Sequence, residues 1–138
     1  MYWSDWGNAA KIEKCAMNGD SSSRQVLVNR GIVWPNGLTI DYQQERIWWV
    51  DARRGAVEST DLNGGDRKIT FRSWGARGTF GITNFQDWIY LTKRSRGRRV
   101  IKIRKDGRGG IYRIVTQLHS PRGIVVYHQT RQPGARGQ

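Results

Sequence analysis

The side chains with the most chemistry to offer are arginines set beside tryptophans. Arg53 and Arg54, Arg72, Arg94, the run Arg96, Arg98 and Arg99, and Arg122 recur along the chain, with Trp6, Trp34 and Trp74 between them. Guanidinium groups pair with carboxylate, sulfate or phosphate oxygens and stack on aromatic faces. Arginine with tryptophan is also the composition of binding hot spots. The chemistry on offer is recognition of an anionic partner. Bond-breaking has little support, since two histidines and one cysteine occur in 138 residues. They suggest no Ser/His/acid or Cys/His arrangement. Gly64-Gly65, Gly97 and Gly109-Gly110 adjoin strand-like runs, so they read as turn glycines rather than a phosphate loop. A calcium site needs several converging carboxylates and carbonyls. Asp41 is the one clear acid near the end of a Gly-Leu-Thr-Ile type strand, and it sits in a turn, where Asp commonly caps backbone groups. The expectation is a non-enzyme with no metal and no cofactor.

Lysine and arginine number 24 against 11 acids, a formal net charge of +13. Such an excess attracts polyanions: nucleic acid, sulfated glycans or anionic lipid heads. It says nothing of fold. Only 37% of residues are hydrophobic, yet there are seven Trp and five Tyr, which suits half-buried strands. No apolar run approaches a membrane span, and no signal-like leader opens the chain. Met1 stands directly against Tyr2-Trp3, which reads as mid-domain sequence, so a fragment is expected. Cys15 has no partner for an internal disulfide and reads as a small half-buried strand residue.

The elements that position the arginines come from internal repetition. An aromatic or apolar tetrad recurs as Tyr2-Trp3-Ser4-Asp5, Trp48-Trp49-Val50-Asp51 and Tyr90-Leu91-Thr92-Lys93. A strand ending in a turn recurs at Asn18-Gly19, Asn63-Gly64 and Asp106-Gly107. A glycine with alternating apolar residues recurs at Gly37-Leu38-Thr39-Ile40, Gly81-Ile82-Thr83 and Gly123-Ile124-Val125-Val126. All three markers share a period of roughly 40–45 residues, the length of a four-stranded propeller blade. The chain is expected to hold strands B, C and D of one blade over 1–29 and full blades over 32–72 and 78–117. A last strand A over 122–128 and a tail or linker over 129–138 would follow. That is an all-β, partial six-bladed propeller of about three blades, short of the four to eight that close a ring.

Antiparallel strands send alternate loops to opposite ends. The D–A and B–C loops share one face, which receives Arg53, Arg54, Arg72, Arg77, Lys93, Arg94, Arg96, Arg98, Arg99 and Arg122. The opposite face mixes Asp20, Glu45, Arg46, Asp66, Arg67, Asp87, Lys105 and Asp106. Trp3, Trp48, Trp49 and Trp88 read as blade packing. For Trp6, Trp34 and Trp74, packing and ligand contact are equally open.

Tyr2-Trp3-Ser4-Asp5-Trp6-Gly7 resembles the YWTD (class B) repeat of the low-density-lipoprotein receptor family. Lys11-Ile12-Glu13-Lys14 with Met17-Asn18-Gly19, Trp34-Pro35-Asn36-Gly37-Leu38-Thr39-Ile40-Asp41, and Asp61-Leu62-Asn63-Gly64 are similar to its other blade segments. Gly123 to His128, with Arg131-Gln132-Pro133, is similar to its propeller exit. The resemblance implies a six-bladed propeller in the extracellular part of a single-pass endocytic or signalling receptor. It implies secreted protein ligands, a following EGF-like module and structural roles for Tyr2, Trp3, Asp5, Trp49, Asp51, Gly37, Gly81 and Gly123. Heparin-like glycans are a further expected partner of the basic face; nucleic acid and direct membrane insertion are not expected. A nidogen-like matrix scaffold or a basic nucleic-acid-binding propeller is the alternative. The third repeat departs from the pattern, because Lys93 stands where the family's acid ties neighbouring blades together. His119 and His128 do not match the family's acid-sensing histidines, so no pH switch is implied.

Overall fold

The computed structural model describes residues 1–128. The expected tail over 129–138, with Arg131-Gln132-Pro133, lies outside the described residues. Among the described residues eleven strands form three antiparallel sheets. The first contains β1 (Tyr2–Asp5), β2 (Lys11–Lys14) and β3 (Gln25–Val28) in that order. The second runs β4 (Pro35–Asp41), β5 (Arg46–Asp51), β6 (Ala56–Asp61) and β7 (Lys68–Arg72). The third runs β8 (Thr79–Phe85), β9 (Trp88–Lys93), β10 (Arg99–Arg104) and β11 (Tyr112–Val115). Two short 3₁₀ turns, Ser21–Ser23 and Trp74–Ala76, are the helical elements among the described residues. Each sheet is an all-next-neighbour meander, as the short turns between its strands require. Residues 122–128, expected as a strand A, form no ladder.

The turn glycines do more than reverse the chain. Gly64 sits at φ 91°, a region open to glycine at little cost. A Cβ there would lie 2.8 Å from the Leu27 carbonyl of β3. The hairpin can therefore press against the preceding sheet only because it carries glycine. Gly37 in β4 is the central example: a Cβ would stand 2.6 Å from the Phe80 carbonyl and 2.9 Å from the Ile82 nitrogen in β8. Gly81 meets the Arg122 carbonyl and the Ile124 nitrogen in the same way. The innermost strands thus stack backbone to backbone, and residues 122–128 take the next place in the stack.

The core lies between sheets, not within one. Ala10, Ile12, Val28, Ile32 and Trp49 fill the first junction, with Leu27 and Leu38 at its margin. Trp48, Val50, Val57, Ile82, Ile89, Leu91, Ile101 and Ile103 fill the second, with Phe71 and Ile111. Neighbouring positions on a strand point to opposite faces. Trp49 accordingly faces the first sheet and Trp48 the third.

Candidate functional site

The loops following β5 and β9 and the entries to β4 and β8 lie at one end of the sheets. They enclose a groove of 430 Å³ lined by residues that include Trp34, Asn36, Phe80, Arg94, Arg98 and His119. Arg94 lies over the Phe80 ring at 5.3 Å, and Arg53 over the Trp34 ring at 5.4 Å. Trp6 meets Trp34 edge to face at 6.2 Å between centroids. Trp6 and Trp34 remain exposed. The groove therefore presents aromatic faces and guanidinium groups together. Among the described residues, no carboxylate reaches salt-bridge distance of Arg53, Arg72, Arg77, Arg94, Arg96, Arg98, Arg99 or Arg122.

The structure brings Trp6, Trp34, Arg53, Arg94 and Arg98 together; other sequence candidates stand apart. Arg98 also borders a second cavity, with Arg99, Thr116, Gln117 and Leu118. Arg99 folds back onto the carbonyls of Gly97 and Arg96, at 2.7 and 3.3 Å. Arg96 is exposed in the same loop. Arg72 and Trp74 lie outside the groove lining; Arg77 lies over the Trp74 ring at 3.6 Å, and Trp74 stays exposed. Arg122 is exposed, while its carbonyl accepts from the Thr92 hydroxyl at 2.5 Å. Arg54 turns inward. It pairs with buried Glu58 at 2.6 Å and donates to the Gly31 carbonyl. Asn36, Phe80 and His119 are groove residues that sequence reasoning does not reach, because strand-entry and linker positions carry no charge signal. Asn36 donates to the Thr79 carbonyl at 3.0 Å, across the second junction.

Cations on the opposite face are consumed by the fold. Arg46 pairs with Asp66 at 2.8 Å, and Arg67 with Glu58 at 2.7 Å. Lys105 pairs with Asp41, both nearly buried. Hydrogen bonds from Lys68 and Arg46 hold the Asp66 carboxyl below its ordinary pKa. Asp41 also accepts the Gln43 and Gln44 amides at 3.0 and 3.2 Å. It is a turn cap with an inter-sheet partner. Among the described residues, no group of three or more His, Cys, Asp or Glu side chains gathers as a metal site.

The tetrad ends position the groove. Asp51 is fully buried and accepts the amides of Val33, Trp34 and Arg54 at 2.7, 3.3 and 3.1 Å. It thereby fixes Trp34 at the groove edge. In the third sheet Lys93 inverts the tie, donating from Nζ to the Gly75 carbonyl at 2.6 Å. Counted back from Gly37 and Gly81, Arg77 and Gly78 stand where Val33 and Trp34 stand. Their amides are already bound to the Trp74 and Ala52 carbonyls. Neither of these two amides needs an acid, and a cation to a carbonyl makes the link. Burial, with Arg99 nearby, pushes the Lys93 amine below its ordinary pKa.

A stack of antiparallel meanders of three, four and four strands, glycine-apposed along their inner strands, defines a segment of a β-propeller. Residues 1–42 match the model of the low-density lipoprotein receptor repeat class B. Residues 1–42 are thus similar to a low-density-lipoprotein receptor class B (YWTD) repeat, in a chain whose sheets stack as a propeller segment. The vitellogenin receptor Yl of Drosophila melanogaster is 29% identical over 135 residues, 98% of this chain and 7% of that protein. The vitellogenin receptor of Solenopsis invicta is 40% identical over 90 residues, 65% of this chain and 5% of that protein. This chain therefore spans only a small part of those relatives. A chain in the crystal structure of a nidogen/laminin complex superposes with TM-score 0.77 at 21% identity, over 88% of this chain and 46% of that one. A gluconolactonase from Xanthomonas campestris superposes with TM-score 0.65 at 14% identity, over 91% of this chain and 40% of that one. These two likenesses concern the fold alone. No helix among the described residues is long and apolar enough to cross a membrane.

Proposed function

We propose that this segment contributes a ligand-binding face to the extracellular part of a receptor of the low-density-lipoprotein receptor type. Its partners are acidic surfaces of secreted proteins or sulfated glycans. The observation that carries the reading is the groove around Trp34, Phe80, Arg94 and Arg98, where guanidinium groups lie on aromatic rings and lack carboxylate partners. An anion entering it gains ion pairs with arginines that no intramolecular acid already neutralises, while the rings hold those arginines in place. The receptor names of the two insect relatives support the same class. The likeness to a gluconolactonase supports no catalytic reading, since Asp41 is engaged by Lys105 and by its own turn.

Heparin affinity across a salt series tests the reading. Arg94, Arg96 and Arg98 are replaced together by Ser, against a control triple of exposed Lys68, Arg108 and Arg113. Ion-pair binding loses roughly one unit of slope, in log affinity against log salt, per contact removed. The groove triple should flatten the slope by about 2–3 units and the control should hardly change it. Equal flattening in both would assign the binding to net charge and reject the groove.

A further inference from the structure

We infer that the cavity between the second and third sheets, at the end opposite the arginine groove, is a binding site for a single neutral sugar residue. The cavity measures 260 Å³, many times the ~30 Å³ that one water takes up in the liquid. Trp48 and Ser59 form its buried floor. Gln44, Lys68, Asp87 and Asp106 are exposed at its mouth. Among the described residues the Trp48 indole Nε1 is buried and meets no hydrogen-bond acceptor. A buried N–H without an acceptor has given up its hydration for nothing, so an acceptor placed there is favoured.

At the first junction the matching place is filled by the chain itself. Tyr2 stands where Trp48 stands, at the head of the tetrad, and pairs across its sheet with Lys14 as Trp48 pairs with Ser59. The Tyr2 hydroxyl donates to the Leu62 carbonyl at 3.3 Å. Lys14 donates to the same carbonyl at 3.3 Å and to Asn63 Oδ1 at 2.6 Å. Both polar tips thus end on the hairpin of the next sheet. At the second junction the long lysine has become a serine, and the tyrosine hydroxyl has become an indole N–H that finds no partner on the Lys105-Asp106 hairpin. The Ser59 hydroxyl accepts from Arg46 Nε at 3.1 Å and keeps its own proton for another oxygen. The change from lysine to serine opens the cavity and leaves two donors on its floor.

The charges of the walls select against an ion. Arg46 and Lys68 share Asp66 at 2.8 and 2.9 Å, Arg104 pairs with Asp106 at 2.9 Å, and Lys105 pairs with Asp41. Every cation of the lining therefore has a carboxylate already, in contrast with the arginines of the groove. Among the described residues no cation reaches salt-bridge distance of Asp87, so its charge repels an anion at the mouth. A cation would meet a floor made of donors. An apolar group would leave the Trp48 N–H as it is. A sugar hydroxyl both accepts and donates. Its oxygen answers Trp48 and Ser59 on the floor, while neighbouring hydroxyls donate to the carboxylates of Asp87 and Asp106 at the mouth.

Nuclear magnetic resonance of the indole N–H groups is the test. The seven tryptophans give seven such signals, and the one lost in Trp48→Phe is the probe. The full chain is titrated with the methyl glycosides of glucose, galactose, mannose and N-acetylglucosamine, and separately with sodium sulfate and sodium acetate. At least one glycoside should shift the Trp48 signal saturably, with Kd on the order of millimolar, and neither anion should shift it. Ser59→Lys, which copies Lys14 of the first junction, should abolish the shift. Asp87→Ala, at an exposed position, should weaken binding about tenfold, as loss of one charge-assisted hydrogen bond does, with an unchanged circular dichroism spectrum. Replacing Arg94, Arg96 and Arg98 by Ser should leave the titration as it was, so the cavity and the groove stand or fall separately. A Trp48 signal that no glycoside moves would leave the cavity to water and overturn the inference. So would a signal that moves with sulfate or acetate, or a glycoside shift that keeps its full affinity in Asp87→Ala.

Discussion

The junction between the first and second sheets and that between the second and third solve the same packing problem with different chemistry. At the first, Trp49 lies beneath Arg67 at 5.4 Å, and fully buried Glu58 binds both Arg54 and Arg67. Arg67 reaches on to the carbonyls of Arg30 and Gly31 in the linker between the sheets. At the second, the positions paired like Trp49 and Glu58 are Leu91 and Ile101, both buried. A tryptophan, an acid and an arginine have become two aliphatic side chains. The first sheet repeats the polar version: Arg24 lies over Trp3 at 5.6 Å and clasps buried Glu13 through two bonds of 2.8 Å. The clasp, led by its hydrogen bonds, holds the Glu13 carboxyl below its ordinary pKa. Buried ion pairs and well-packed apolar groups are often of similar worth. Either can fill the same slot, provided its members change together.

The largest expected effect comes from breaking the polar set in half. Glu58→Leu leaves Arg54 and Arg67 facing an apolar wall and should cost about 3 kcal/mol. Glu58→Ile combined with Arg67→Leu, which imitates the third sheet, should recover most of that loss. Urea denaturation of the single and double variants checks it. If the double variant is as unstable as the single one, the two junctions are not alternative solutions.

The tetrad ends sharpen the contrast at smaller scale. Asp51→Ala strands three amides and should cost about 2–3 kcal/mol. Lys93→Met loses one hydrogen bond but also relieves a buried charge, so the net change should stay within about 1 kcal/mol. Equal losses from both, in the same denaturation assay, would make Lys93 as much a keystone as Asp51.

The smallest effect is one of pH. The Lys93 pKa is lowered on folding, so the native state binds fewer protons than the unfolded chain between its lowered value and the ordinary lysine value of 10.5. Stability should rise with pH through that window and stay flat, at its lower level, below it. Glu13 has the opposite dependence: the stability it contributes is present above 4.5 and is lost as pH falls through its lowered pKa. Urea midpoints against pH should therefore show an alkaline rise that Lys93→Met abolishes and an acid fall that Glu13→Gln reduces. An alkaline rise that persists in Lys93→Met would assign the titration to another group.

Much of this molecule is determined by sequence alone, because its signals are local. The blade period, the Asn63-Gly64 turn with its positive φ, and the alternation that sends Trp48 and Trp49 to opposite faces depend only on near neighbours along the chain. That the loops carrying Arg53, Arg94 and Arg98 share one end follows from strand alternation, which is local as well. What only the tertiary structure decided concerns pairs made across junctions. Arg54 and Arg53 are adjacent in sequence, yet one is spent on Glu58 and the other lies over Trp34. Lys93 keeps a link that its charge alone argues against, because the linker amides are satisfied elsewhere and a carbonyl is within reach. The groove needed Phe80 and His119 beside Arg94 and Arg98, and no spacing rule connects them. A repeat can be read from one chain's order; which donors meet which acceptors depends on how neighbouring sheets stack, and that is set by the summed packing of both faces.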